Sequence, residues 1–245
     1  MNASCSCRRL FHLAATVLAA GWLTAGHAAA DTIVYTSLAS QTDGFQTNGG
    51  ATAANGSTAL LADDIVFASG AANQIVNSFV IDISNSSGTA NSATATVEFF
   101  ATNGANGGPG TLLGSASMTN SFASSITRLT FTLSGLFTVP ANGRIWAGVY
   151  FTGLLGSSTQ GGLNSLGVLD KEPATVGSSQ ANTAFLSSGP AVAGSNPAGT
   201  VLTASSNGQP LNLAMQFAVP EPSSWAGALL GGGALLGWVL RRRRA

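Results

Sequence analysis

Ala93-Thr-Ala-Thr-Val-Glu-Phe-Phe100 alternates small or apolar residues with polar ones, the period of a strand with two unlike faces. Val76 to Ile83, Arg128 to Leu133 and Arg144 to Phe151 repeat the pattern, enriched in β-branched and aromatic residues. Thr32 to Ser37, Ile65 to Ala68, Thr111 to Ser117 and Leu211 to Phe217 are further candidates. Turn clusters separate these runs: Asn48-Gly-Gly50, Asn85-Ser-Ser-Gly88, Asn103 to Gly110 and Pro140-Ala-Asn-Gly143. No long amphipathic helical period falls between them. Many short strands with this punctuation predict an all-β fold, a single jelly-roll-like β-sandwich over residues 31–219. From Gly156 to Gly208 the chain is richer in Ser, Gly, Ala and Pro, which predicts long loops and one or two edge strands.

Two segments break the strand pattern. Arg8 and Arg9 precede a mostly apolar run from Leu10 to Trp22, and Ala28-Ala29-Ala30 ends it. This is the layout of a secretory signal peptide (residues 1–30) cleaved between Ala30 and Asp31. At the other end Ser223 to Leu240 carries no charge. As a helix it is about 27 Å long, close to the roughly 30 Å of a bilayer core. Trp225 and Trp238 stand near its two ends, where indole rings favour the headgroup zone. Arg241, Arg242, Arg243 and Arg244 follow at once and are expected to stay cytoplasmic as a basic stop, which places the domain before the span on the opposite side. Pro220-Glu221-Pro222 lies just ahead of the span, held extended by its prolines.

Pro220-Glu221-Pro222, the apolar span and the arginine cluster, in that order, resemble the PEP-CTERM sorting signal of exported bacterial proteins (residues 220–245). The resemblance implies recognition and processing by an exosortase, transient anchoring in the inner membrane of a Gram-negative bacterium, and delivery to the cell surface or an exopolysaccharide-containing matrix. A second likeness lies upstream, in Val97-Glu-Phe-Phe100, Gly108-Pro-Gly-Thr-Leu-Leu-Gly114, Phe131-Thr-Leu133 and Ile145-Trp-Ala-Gly-Val-Tyr150. These pieces are similar to the choice-of-anchor R type of exported domain, which brings no catalytic activity with it.

Composition narrows the chemistry. Both histidines (His12, His27) and both cysteines (Cys5, Cys7) fall in the signal segment. The exported region therefore has no disulfide, imidazole base, thiol nucleophile or His/Cys metal ligand, and a Ser-His-Asp triad cannot form. Its cations are Arg128, Arg144 and Lys171, against acids Asp31, Asp43, Asp63, Asp64, Asp82, Glu98, Asp170 and Glu172. Nothing there neutralises a phosphate backbone, so no nucleic-acid partner is expected.

The remaining features have two readings each. Asp63-Asp64 with Asp43 and Asp82 offer oxygen ligands for Ca²⁺, but no Ca²⁺-loop pattern surrounds them and solvated surface acids account for them better. Glu98 with one of those aspartates would make a glycosidase pair, yet it sits inside a strand run with no partner at a defined spacing. Trp146 and Tyr150 share one strand face and suit a sugar-stacking platform; core packing is the commoner fate of such a pair. Asn103 to Gly110 lacks the Lys and helix of a phosphate cradle and reads as a hairpin loop. The expectation is a non-enzymatic surface or matrix protein, structural or adhesive, without cofactor, metal or catalytic residues. A carbohydrate-binding module that holds exopolysaccharide is the alternative, and a secreted hydrolase is third.

Overall fold

The computed structural model describes residues 31–38, 45–47, 56–86, 90–155, 165–171, 174–180, 183–195, 197–202 and 212–221. The signal segment, Asp43, Pro222, the apolar span and the arginine cluster lie outside them. Among the described residues no helix is long and apolar enough to cross a membrane. The strands are β1 (Asp31–Thr36), β2 (Phe45–Thr47), β3 (Ala59–Val66), β4 (Ile75–Asn85), β5 (Asn91–Ala101), β6 (Leu112–Phe122) and β7 (Ile126–Thr138). They continue as β8 (Arg144–Leu155), β9 (Leu166–Lys171), β10 (Ala184–Pro190), β11 (Gly199–Leu202), β12 (Asn212–Leu213) and β13 (Met215–Pro220).

Two sheets form. The first runs β1-β13-β4-β7; β9 shares the β13 side of β4 and pairs in turn with β12 and β2. The second runs β11-β10-β3-β8-β5-β6. The chain crosses between sheets from β4 to β5, β6 to β7 and β7 to β8, while β4 pairs with β7 and β5 lies between β6 and β8. That nested antiparallel order is the jelly-roll arrangement.

Period-two alternation points one set of side chains from each sheet into the shared core. Ala93, Ala95, Val97 and Phe99 of β5 meet Phe79, Ile81 and Ile83 of β4, all fully buried. Phe217 of β13 is the hub. Its ring lies 4.7 Å from Phe79, 5.3 Å from Phe67, 5.7 Å from Phe99 and 6.0 Å from Tyr35. Such tilted and edge-on contacts add to the burial of large apolar area.

The predicted strands from Val76 to Phe151 all form, most of them longer than their apolar runs. The Ile65 to Ala68 candidate is displaced, because the strand starts at Ala59 and ends at Val66. The Gly156 to Gly208 stretch holds β9, β10 and β11, more than the one or two edge strands expected. Only β11 is an edge; β10 is hydrogen-bonded on both sides, to β3 and to β11.

Candidate functional site

The four described acids of strands β3, β4 and β5 are buried, which corrects the expectation of solvated carboxylates for Asp63, Asp64 and Asp82. Asp63 and Asp64 are neighbours on β3 and so point to opposite faces. Asp63 faces the core, where its Oδ2 accepts the Leu213 N–H at 2.8 Å and ties β3 to the opposite sheet. Its charge adds to burial in pushing the Tyr35 hydroxyl up to about 12. Asp82 stands across from Arg128 in the β4–β7 register, and the guanidinium donates to both carboxylate oxygens at 2.8 Å. This bidentate pair, with Asp82 1% exposed, holds the outer face of the first sheet.

Asp64 and Glu98 lie on the outer face of the second sheet, where a second apolar cluster gathers Leu60, Ala62, Phe100, Trp146, Tyr150 and Phe185. Trp146 and Tyr150 do share a face of β8, but each is only 3% exposed. They cluster with Phe185 of β10, and the Trp146 Nε1–H donates to the carbonyl of Gly107 in the loop between β5 and β6 at 2.9 Å. Gly148 lies between them, and a Cβ there would come within 2.8 Å of Leu60 and Ala62. Only glycine lets β3 side chains lie flat across β8 at that point. Asn103 to Gly110 is the hairpin loop expected, closed by Gly110 N–H to the Ala101 carbonyl at 2.9 Å.

At one end of this face Asp64 Oδ1 accepts the Gln180 N–H at 3.1 Å and Oδ2 lies 3.7 Å from the Arg144 guanidinium. Together with Trp146 these residues line a cavity of about 280 Å³. Burial outweighs the Gln180 and Arg144 contacts and pushes the Asp64 carboxyl up to about 6. A raised folded-state pKa stabilises the fold below the unfolded value, and that contribution is lost as pH rises through about 6. Asp64→Asn keeps the acceptor for Gln180 and removes the charge. Urea unfolding at pH 7.5 should therefore show the variant more stable than wild type by about 1–3 kcal/mol, with the gap shrinking at pH 4.5. Parallel pH dependence in both proteins would refute the burial cost.

At the other end Glu98 is 1% exposed, and its Oε1 accepts the Gly194 N–H at 2.8 Å. A cavity of about 210 Å³ opens above it, beneath the turn that follows β10. Glu98 and Asp64 sit two strands apart and two residues out of level, with β8 between them. Strand geometry places their Cα atoms about 12 Å apart. Among the described residues no group of three or more His, Cys, Asp or Glu side chains is placed to hold a metal ion.

Periodicity placed Trp146, Tyr150 and Glu98 on their strands but did not reveal the cover over them. Phe185 and the Gly194 turn come from the Ser- and Gly-rich stretch, whose composition carries no strand signal. The one trace was Ala184-Phe-Leu186, a short apolar island.

The fourth feature is the C-terminal boundary. Phe217, Ala218 and Val219 are buried in β13 between β1 and β4, whereas Pro220 ends the strand exposed and Glu221 follows it exposed. Proline closes a strand readily, since it has no N–H to offer the ladder. An enzyme that needs accessible backbone can engage Pro220 and Glu221, but not Val219 without extracting a strand paired on both sides.

Residues 218–244 match the family model of the PEP-CTERM protein-sorting motif. The chain thus carries this motif, which marks it as an exosortase substrate, exported and transiently anchored in a membrane on its way to the surface. No curated protein and no solved structure matches the chain.

Proposed function

We propose that the sandwich is a non-enzymatic structural or adhesive component of the cell surface or extracellular matrix, delivered there through its sorting motif and associated with exopolysaccharide. The observation that carries this reading is how the acids are used. Asp63, Asp64, Asp82 and Glu98 each accept a hydrogen bond that ties one segment of the fold to another. Acids spent on tying loops and sheets together suit a scaffold better than a hydrolase. The carbohydrate-binding alternative loses its expected platform, because Trp146 and Tyr150 are each buried in an apolar cluster and offer no ring to stack on. Removal of an N-terminal signal at Ala30–Asp31 would leave β1 whole, since that strand starts at Asp31. In a producer lacking this protein, attached biomass should fall while bulk hydrolase activity toward the polysaccharide stays the same. Immunoblots of membrane, surface and medium fractions should find the protein outside the membrane in wild type. Unchanged attachment, or a loss of hydrolysis, would count against the scaffold reading.

A further inference from the structure

We infer that the cavity above Glu98 is a binding site for a small protonated amine, such as an amino sugar presents. This stands apart from the scaffold reading, which survives or fails independently of it.

The cavity holds about 210 Å³, several times the roughly 30 Å³ share of one water. Glu98 lies at its floor on β5, 1% exposed, with no cation among the described residues that line the space. One carboxylate oxygen is held by the Gly194 N–H, and the Glu98 side chain lines the cavity. Gly194 adopts φ +73, a conformation that suits glycine and that turns its N–H down onto the carboxylate.

The walls are acceptor-rich. The Ser187 hydroxyl donates to the Gly189 carbonyl at 2.6 Å and accepts the Leu60 N–H at 2.8 Å. Ser188 and Ser195 donate their hydroxyl hydrogens to the Ala198 and Val192 carbonyls, at 3.1 and 2.7 Å. Each of these hydroxyls has spent its hydrogen, so lone pairs are what it can still offer a guest. A buried carboxylate without a counter-charge, ringed by acceptors, favours a guest that brings both positive charge and several donors. A primary ammonium carries three. A divalent metal is a poorer match, because Ca²⁺ takes about 6–8 oxygen ligands, usually with more than one carboxylate. Apolar Leu60 and Val192 provide walls against which a compact ring can rest.

Isothermal titration calorimetry on the full chain in detergent micelles tests the assignment. Glucosamine, N-acetylglucosamine, glucose and calcium chloride serve as probes. Glucosamine should bind about ten-fold or more tightly than either neutral sugar, the scale expected for one charge-assisted hydrogen bond. Glu98→Gln keeps the acceptor for Gly194 and the side-chain volume, and should lose that preference while its melting temperature shows the fold intact. Burial holds the Glu98 carboxyl above its usual range, so wild-type glucosamine binding should also weaken as pH falls from 7 toward 4. Absence of glucosamine binding, equal binding of glucose, or an unaffected Glu98→Gln variant would each overturn the proposal. Calcium binding that depends on Glu98 and excludes glucosamine would make it a metal site instead.

Discussion

Cells producing Glu221→Ala are expected to accumulate full-length precursor in the membrane fraction while the surface and medium fractions are depleted. The change lies inside the sorting motif matched at residues 218–244. It also lies outside everything that holds the sandwich. Glu221 is exposed, one residue beyond the last strand, and the buried part of β13 ends at Val219. An exposed substitution of this kind typically moves stability by no more than about 0.5 kcal/mol, so a sorting defect could not be blamed on unfolding. Insertion should also be unaffected, because Glu221 precedes the apolar run from Ser223 to Leu240. Replacing Arg241 to Arg244 should have a different outcome, loosening retention and orientation through loss of the positive charge beside that run. Fractionation and immunoblotting separate the two defects. If Glu221→Ala matures and leaves the membrane as wild type does, the tripeptide is a linker and the sorting interpretation fails.

Phe217→Ala should cause the largest loss of stability of any single truncation in β13. The ring is fully buried and touches aromatic side chains from both sheets, Phe79 on β4 and Phe99 on β5 among them. Phe→Ala at such a site costs about 3–5 kcal/mol, a large fraction of the roughly 5–15 kcal/mol that holds a typical domain folded. Urea unfolding followed by far-ultraviolet circular dichroism should show a lower midpoint, with Phe217→Leu falling between the variant and wild type. A loss below about 1 kcal/mol would mean that β13 is not the central strand placed between β1 and β4. Because Phe217 lies only three residues before Pro220, the variant should also expose the chain just ahead of the sorting motif to added protease. Glu221→Ala should not.

The strands from Ile75 to Leu155 were legible because each has one face in the core, and period-two alternation is the direct imprint of that environment. The C-terminal sorting motif was legible for a different reason: charge and hydropathy order along the chain is itself the message there. The Ser- and Gly-rich stretch was not. β9 and β10 draw their stability from pairing with β4 and β3, and β11 from pairing with β10, and side chains as small as Ser187 and Gly199 leave little pattern to read. Gly199 shows why the composition is needed, since a Cβ there would come within 2.3 Å of the Leu186 carbonyl and 2.5 Å of the Phe185 ring.

The amino-acid sequence by itself determined the all-β class, the parity of Trp146, Tyr150 and Glu98 on their strands, the charge-poor exported region and the motif at its end. Tertiary structure alone decided that Asp63, Asp64 and Asp82 are buried partners rather than solvated acids, and that Glu98 floors a cavity. Alternation states that neighbouring residues face opposite ways, but not whether the far face meets water or another part of the chain. Here the outer face of the second sheet is covered by distant segments, 96 residues away in the Gly194-to-Glu98 hydrogen bond and 116 in the Gln180-to-Asp64 one. No local pattern can encode a contact whose two halves are that far apart.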